Sequence, residues 1–359
     1  MFEKKSEEMI IGFPRAMSYY NDYPFYYGFF SDLGIKVVLS DVTTKQTMSN
    51  GSALVVTETC LPIKVYIGHV LNLIDKGVDK IFVPSIQSIA PKIYNCSKIR
   101  GLPDLVRNVV KKPFTMVEAT LDKSEKNQGL YEYLAEIAKY YGISDKDVIK
   151  KASKAGWRCY NNFHIMSKSG MSYKKALNNA LQGKVVIESD STKEHPISIA
   201  LVSHGYNIYD DRTCMKIFDK LEAMDVRVYT SLQLSKEQLV DGITSLGNEQ
   251  YWANEFDMTG SAGHYLKDVK VDGIITLTAF GCGPDSLMVE RITRKAKRFN
   301  KPLLNLTIDE HTGEAGFITR LEAFVDMLFR KKRANLINKM NISERKSEYI
   351  PNTDYIETK

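Results

Sequence analysis

The sequence lacks three features that mark common classes of protein: a long apolar run, a glycine-rich phosphate loop and a nucleic-acid-binding motif. A helix that spans a membrane needs about 20 consecutive apolar residues, so we expect no membrane span. Without a loop of the type G-x-x-x-x-G-K-[ST], we do not expect ATP chemistry in this chain. Because the bases are not interleaved with aromatic residues, nucleic acid is not an expected partner.

Cysteine is scarce, with five residues in 359, and the five are widely spread. The first 15 residues mix acids and bases without the apolar core of a signal peptide, which favours a cytoplasmic protein. An odd number of scattered cysteines in such a chain argues against a disulfide framework. Each thiol is therefore a small core residue, a metal ligand or a nucleophile.

The composition is ordinary for a globular protein, with 43% hydrophobic and 26% charged residues, and the length allows two domains. The net charge of +6 is unevenly spread: residues 144–184 hold nine bases against two acids, a local net charge of +7. We interpret this segment as a solvated helical face. The alternative is a docking surface for an acidic partner or a phosphate-bearing ligand.

Short apolar runs alternate with helical patterns in both halves of the chain, which predicts βαβ units and parallel sheets. The predicted strands are 9–13, 36–40, 80–84, 197–203, 226–230, 273–280 and 302–308. The predicted helices are 23–33, 61–76, 213–224, 235–246, 286–299 and 316–330.

Between the two α/β halves lies a lysine-rich helical segment, in which Ser144 and Asp147 are placed as a capping box. We therefore predict an N-terminal α/β domain at 1–120, a helical connector at 121–192, a C-terminal α/β domain at 193–335 and a polar tail at 336–359. Both α/β domains are expected to be Rossmann/flavodoxin-like, with a ligand-binding cleft between them. The basic run at 330–333 is expected to favour a helix C-terminus.

Three cysteines lie where a strand should pass into a helix: Cys60 in TETCLP, Cys96 in YNCSK and Cys282 in GCGPDS. A helix N-terminus lowers the pKa of a nearby thiol, which suits metal coordination or nucleophilic chemistry. The glycines beside Cys282 leave amides free to donate to sulfur, as around iron–sulfur clusters. Cys159 and Cys214 lie in helical contexts and are interpreted as core or surface thiols.

Other interpretations of the three cysteines stay open. They could be small buried residues, since free cysteine is among the most buried residue types. A structural zinc site would need His69, His204 or His264 as a further ligand, and none has the expected local spacing. A cysteine hydrolase would use one thiol and leave two unexplained.

Three further side chains are candidates for catalysis: Glu310, His204 and Arg15. Glu310 belongs to a charged group with Asp309, His311 and Glu314 after the last strand, where the acids could orient a ligand or cap a helix. His204 lies in SHGYNIYDD, and we expect it to face the cleft together with Tyr206 and Tyr209. Arg15 follows a strand end, where its charge would stabilise an anionic group.

Five segments resemble the activase-related module of the 2-hydroxyacyl-CoA dehydratase system, which often forms the C-terminal part of large acyl-CoA dehydratase activase-like proteins. The segments are IGFPRAMSYYNDYPFYYGFFSDLGIKVVLS, ETCLPIKVYIGHVLNLIDKGVDKIFVPSI, SHGYNIYDD, AFGCGPDS and TIDEHTGEAGFITRLEAFVDML. They follow one another from Ile10 to about residue 330, so the resemblance covers nearly the whole chain, here as a stand-alone version of the module.

The resemblance extends to the dehydratase subunits and the double-cubane cluster proteins, and it implies α/β domains with an iron–sulfur cluster held by three cysteines per cubane. In this sequence the implied ligands are Cys60, Cys96 and Cys282, which leave one iron of a 4Fe-4S cluster without a protein cysteine. A double cubane would need six cysteines, and a chain with five could form one only by sharing it across a homodimer. One 4Fe-4S cluster per chain is the simpler expectation.

The resemblance also implies a function in low-potential electron transfer or radical and reductive chemistry under anaerobic conditions. The expected partners are a separate ATP-dependent activase or another low-potential electron donor, with an acyl-CoA or another small molecule as substrate. Whether this chain is itself an enzyme, as a dehydratase-like or reductase component, is left open. The alternative function is a non-catalytic module that binds an acyl-CoA or the activator and holds no redox cluster.

Overall fold

The computed structural model describes residues 8–126, 128–187, 194–247 and 252–348, which form an α/β protein. The strands are β1 (Ile10–Phe13), β2 (Lys36–Leu39), β3 (Lys80–Phe82), β4 (Ser85–Ala90), β5 (Ile93–Tyr94), β6 (Thr115–Val117), β7 (Thr120–Asp122), β8 (Ile197–Val202), β9 (Val226–Tyr229), β10 (Gly273–Ala279) and β11 (Leu303–Ile308). The helices of the first half are α1 (Tyr19–Asp32), α2 (Lys45–Ser52), α3 (Leu61–Asp75), α4 (Ser97–Arg100), α5 (Leu102–Val109), α6 (Leu130–Lys139), α7 (Lys146–Lys168) and α8 (Tyr173–Leu181). Those of the second half are α9 (Gly205–Ile208), α10 (Ile217–Ala223), α11 (Lys236–Leu246), α12 (Phe256–Lys267), α13 (Gly283–Arg298) and α14 (Glu314–Glu348), with 3-10 helices at Ser231–Gln233 and Ala253–Glu255.

Each half contains a four-stranded parallel sheet, and the two sheets have the same strand order. The first sheet has the order β2-β1-β3-β6 and the second has the order β9-β8-β10-β11. In each sheet, the strand that comes first in the sequence lies between the strands that come second and third. This is the order of flavodoxin-like sheets, in which ligands bind beyond the carboxyl ends of the strands where the order reverses. The predicted α/β class with two Rossmann/flavodoxin-like sheets is confirmed.

The central strands are continuous apolar runs because they are covered on both faces. All seven residues of β10 are buried, including Thr276 and Thr278, whose hydroxyl groups donate to Asn305 Oδ1 and to the Leu306 carbonyl oxygen. This burial explains why the strands were recognisable in the sequence, since a parallel strand of this kind needs no alternation of polar and apolar residues.

A small third sheet, which was not predicted, follows β3 directly. In it β4 pairs with β5 in antiparallel fashion and with β7 in parallel fashion. Its strands contain serine and glutamine among the apolar residues, so they lack the apolar run that identified the other strands. The sheet matters for the site because β5 ends two residues before Cys96.

The helical connector packs on the first sheet and shares its core. Helix α7 lies along α1 at two glycines: a Cβ on Gly28 would lie 2.7 Å from the Ala155 carbonyl oxygen, and one on Gly156 would lie 2.7 Å from that of Phe25. Phe163 of α7 belongs to the same buried cluster as the aromatic residues of α1. The connector therefore completes the hydrophobic core of the N-terminal half.

Several helix ends differ from the sequence prediction. Helix α1 begins at Tyr19, whereas the predicted helix begins at residue 23. Pro24 therefore lies inside the helix and not at its start. Asp145, and not Ser144, caps α7, since its carboxylate accepts from the N–H groups of Asp147 and Val148.

The last helix is also longer than predicted. Helix α14 continues past the basic run at 330–333 to Glu348, so this run lies within the helix and not at its C-terminus. Part of the polar run at 189–195 and the end of the tail lie outside the described residues. No helix in the described ranges is both long enough and apolar enough to cross a membrane.

The two halves are joined by a buried carboxylate, that of Asp210. Its Oδ2 accepts from Tyr20 Oη at 2.7 Å and from Thr43 Oγ1, both in the N-terminal half. Its Oδ1 accepts from the N–H groups of Arg212 and Thr213 in its own turn. The void beside it measures about 10 Å³, so the halves are in direct contact at this point.

We predict that Asp210→Asn lowers the free energy of unfolding by about 2 kcal/mol, because it disrupts buried hydrogen bonds across the interface. Tyr20→Phe should cost about 1 kcal/mol, and the two changes together should cost less than their sum. The matched control is Glu118→Gln, which breaks the exposed pair with Arg107 and should cost less than about 1 kcal/mol. Urea unfolding of the parent protein and of the four variants gives the free energy of unfolding of each. Equal losses in Asp210→Asn and Glu118→Gln would contradict the prediction.

Candidate metal centre

The three cysteines singled out in the sequence occupy equivalent positions, each as the residue just before the first turn of a helix. Cys60 precedes α3, Cys96 precedes α4 and Cys282 precedes α13, all with extended backbone angles. A proline in the first turn of α3 and of α13 favours a helix start there. The first N–H groups of a helix have no partner within it and carry a partial positive charge, so each sulfur lies beside amide donors.

Burial nevertheless keeps these thiols protonated. All five cysteines are free, and the three at helix starts are half-buried. Burial raises the pKa of Cys60, and the N–H of Ile63 lowers it in part. Burial raises the pKa of Cys282 further, and the carboxylate of Asp285 adds to this effect. The expectation that the helix N-termini would lower these pKa values is wrong for the metal-free protein, because desolvation is the larger effect.

The cysteines of the two halves approach one another at Gly281. A Cβ on this residue would lie 3.1 Å from the Glu58 carbonyl oxygen and 3.8 Å from Cys60 Cα, and its φ of +78° favours glycine. Negative charge on Cys60 and Cys96 contributes to the raised pKa of Cys282. The three thiols therefore share one region, to which the N-terminal half supplies two and the C-terminal half supplies one.

The three cysteines do not form a site for a single metal ion. Across the described ranges, no three side chains of His, Cys, Asp or Glu converge closely enough to hold one metal ion. Cysteines that bind a cluster attach to different iron atoms, so they lie further apart than the ligands of a zinc ion. Thiolates with amide donors in an apolar setting are the surroundings that such clusters use.

His204 lies beside this region and forms a buried pair. Its Nε2 lies 2.7 Å from Oδ1 of Asp285, which is in the first turn of α13. Burial lowers the pKa of His204, but the carboxylates of Asp285, Glu255 and Asp257 together outweigh burial, so the pKa is raised. The ring of Tyr206 stacks on the imidazole at 4.9 Å, and burial raises its pKa, with smaller contributions from Asp285 and all three cysteines.

Tyr209 does not face the cysteines, contrary to the expectation for SHGYNIYDD. Its ring stacks between Tyr173 and Phe218, with centroids 4.3 Å and 5.7 Å away. It lines a separate cavity of about 520 Å³ between the start of α8 and the edge strand β9. Although Tyr206 and Tyr209 are one turn of helix apart, Tyr206 stacks on His204 whereas Tyr209 stacks on Tyr173 and Phe218.

Glu310 forms an ion pair with Lys64 that joins the two halves. Its Oε1 lies 2.5 Å from Nζ of Lys64, which also donates to the Thr57 carbonyl oxygen at 2.9 Å. The two charged side chains are 15% and 4% exposed. Because Lys64 lies in the first turn of α3, the pair fixes the helix that begins after Cys60 to the C-terminal half.

The other members of the charged group after β11 have structural roles. Asp309 accepts from the N–H of His311 and from Thr312 Oγ1, so it closes a turn before α14 and is not the cap of that helix. Glu314 pairs with Lys220 on the surface.

Arg15 does not contact the cysteine region. Its Nε donates to the Ser40 carbonyl oxygen at 2.6 Å, and its guanidinium group lies over the ring of Tyr19. The pKa of the buried His69 is lowered to about 4, mainly by burial. The positive charge of Arg15 also lowers this pKa. Arg15 therefore stabilises the N-terminal half near the Asp210 interface.

The two cysteines outside the group, interpreted from the sequence as core or surface thiols, are both buried. Cys159 on α7 donates to the Ala180 carbonyl oxygen, and burial raises its pKa to about 11. Cys214 lies in the turn before α10, not within a helix, and burial raises its pKa to about 12.

Two polar groups near the interface have positions that the sequence did not indicate: His69, considered there only as a zinc ligand, and Glu255, which was not considered. His69 Nε2 lies 2.9 Å from Thr43 Oγ1, which links it to Asp210. Glu255 ends a 3-10 helix and is completely buried close to His204 and Asp285. Glu255 belongs to no quoted segment, and only the packing of segments distant in sequence brings it close to His204 and Asp285.

Comparison with known proteins gives one family. The model of the CoA enzyme activase uncharacterised domain matches residues 10–234, from β1 to the 3-10 helix after β9. The match includes Cys60, Cys96 and His204 and ends before Cys282. No curated protein matches the chain. Since the match covers more than half of the 359 residues, the chain belongs to the family of the CoA enzyme activase uncharacterised domain.

Proposed function

We propose that this protein holds a 4Fe-4S cluster through Cys60, Cys96 and Cys282 and acts in low-potential electron transfer or reductive chemistry with a separate ATP-dependent activator. The observation that carries the proposal is the position of three thiols at helix starts in one region shared by both halves. Membership of a family that is linked to CoA enzyme activases supports the functional context. When bound, the cluster would supply one-electron reduction at low potential.

The residues around the thiols can support such a group. Thiolates are the ligands that bind iron, so the raised thiol pKa values require protons to leave when metal enters. The N–H groups of Ile99 and Lys98 can stabilise the Cys96 thiolate, as that of Ile63 can for Cys60. His204, with its pKa raised by Asp285, can hold a positive charge against the added negative charge.

Anaerobic reconstitution with iron and sulfide tests the proposal directly. We expect about four iron atoms per chain and a broad thiolate-to-iron absorption. Cys60→Ala, Cys96→Ala and Cys282→Ala should each lose most of the iron, whereas the controls Cys159→Ala and Cys214→Ala should keep it. Protein that stays colourless and iron-free would support the alternative, a module that binds an acyl-CoA or the activator without a cluster.

The close approach at Gly281 gives a second prediction. Gly281→Ala should lower the free energy of unfolding by about 1–2 kcal/mol, because an L-residue is strained at this φ. It should also reduce iron binding, since the new Cβ pushes the Cys282 loop away from the Cys60 loop. Gly283→Ala is the matched control, because nothing lies within 4 Å of its Cβ position. Equal iron contents in the two variants would show that this contact does not position the thiols.

Thiol reactivity separates the proposal from a cysteine hydrolase. In the metal-free protein, Cys60, Cys96 and Cys282 should react with iodoacetamide more slowly than free cysteine at neutral pH, because their raised pKa values leave less thiolate. As the pH is increased, the reaction rates of these three cysteines should keep rising in the range where the reaction rate of free cysteine has already become constant. Mass spectrometry of the labelled peptides measures each rate. One cysteine that reacts rapidly at pH 7 would instead favour a nucleophile.

A further inference from the structure

Glu255 is a completely buried carboxylate. The residue is 0% exposed, and neither Oε1 nor Oε2 makes a hydrogen bond of normal geometry with a described group, although the Trp252 N–H lies near enough to lower its pKa. An ionised carboxylate that is buried without a partner costs several kcal/mol, so proteins keep one only where a proton, a cation or a metal compensates it. Burial raises the pKa of Glu255 to about 7, which reflects this cost.

The position of Glu255 connects it to the cysteine region. The 3-10 helix that it ends packs against β4, and Trp252 just before this helix forms a bridge with Tyr94, two residues before Cys96. Burial raises the pKa of Cys96, the nearby N–H groups lower it, and the carboxylates of Asp285 and Glu255 raise it again. The pKa of Glu255 is in turn lowered by His204 and raised by Asp285. Its carboxylate thus lies among the groups that surround the thiols.

The other acids near the thiols are already engaged. Asp285 binds His204 through Oδ1, although its Oδ2 has no partner, and Glu310 is paired with Lys64. His204, the Trp252 N–H and, with the smallest effect, Arg291 lower the pKa of Glu255 against the effect of burial. Of the buried acids beside the thiols in the described ranges, Glu255 is the one with both oxygens available.

We propose that Glu255 is the fourth protein ligand of the cluster and places a carboxylate oxygen on the iron that the three cysteines leave free. This inference rests on the proposed function, because it assigns a ligand to the same group. A carboxylate is a harder ligand than a thiolate. The iron that it binds is therefore the one at which an incoming oxygen ligand or a partner can take its place. Its negative charge also favours the oxidised cluster and lowers the reduction potential.

The test compares the reconstituted parent protein with Glu255→Gln and Glu255→Cys. Treatment with a mild oxidant should leave the parent with about four irons, whereas Glu255→Gln should fall to about three and show the electron paramagnetic resonance signal of a 3Fe-4S cluster. Glu255→Cys should restore the fourth iron and shift the reduction potential. Mössbauer spectra should show one distinct iron site in the parent that changes in both variants.

Asp285→Asn tests the other buried acid beside the thiols, whose Oδ2 also has no hydrogen-bond partner, and loss of the fourth iron in this variant with its retention in Glu255→Gln would overturn the assignment. Without metal, Glu255→Gln should melt at a higher temperature than the parent, because it removes an unpaired buried charge, whereas loss of a purely structural group would lower the melting temperature. Identical iron retention and Mössbauer spectra in the parent and Glu255→Gln would overturn the assignment while leaving the cluster itself intact. A parent protein without iron would overturn the proposed function.

Discussion

The candidate centre depends on contact between two α/β halves at the loops that follow their strands. Cys60 and Cys96 come from the first half and Cys282 from the second, so the three thiols share a region only while the halves stay together. The Lys64–Glu310 pair fixes the helix after Cys60, and Asp210 fixes the neighbouring interface. Both are buried charged groups, whose bonds are short and directional and therefore hold the halves in one relative position.

Burial and charge oppose one another throughout this region. The acids Asp285 and Glu255 are buried and the three thiols are half-buried, and burial raises the pKa of each thiol. His204 is the exception, because the carboxylates of Asp285, Glu255 and Asp257 together outweigh burial and favour its charged form. A site that gathers so many anionic ligands is stable as protonated groups or as ligands of a strongly positive centre.

Much of the fold could be predicted because its strands are buried on both faces and its helices end at glycines. The run from Gly273 to Cys282 is an example, since the apolar strand and the glycine turn are both local signals. The small sheet with β4 and the position of Glu255 could not be predicted, because they depend on contacts between segments distant in sequence. Arg15 and Tyr209 follow strands as expected, but local packing turns their side chains away from the cysteines.

The choice of cysteine at three helix starts has an energetic consequence of its own. Serine, threonine, aspartate or asparagine at such a position stabilises a helix by about 1 kcal/mol, through a hydrogen bond to a free N–H group. None of the three cysteines makes a side-chain capping bond of this kind, whereas Thr44 and Ser235 do so elsewhere in the chain. The first turns of α3, α4 and α13 are thus less stable than they could be. A ligand that converts the thiols to thiolates would restore this interaction, so binding at the centre and the ordering of these three turns would be thermodynamically linked.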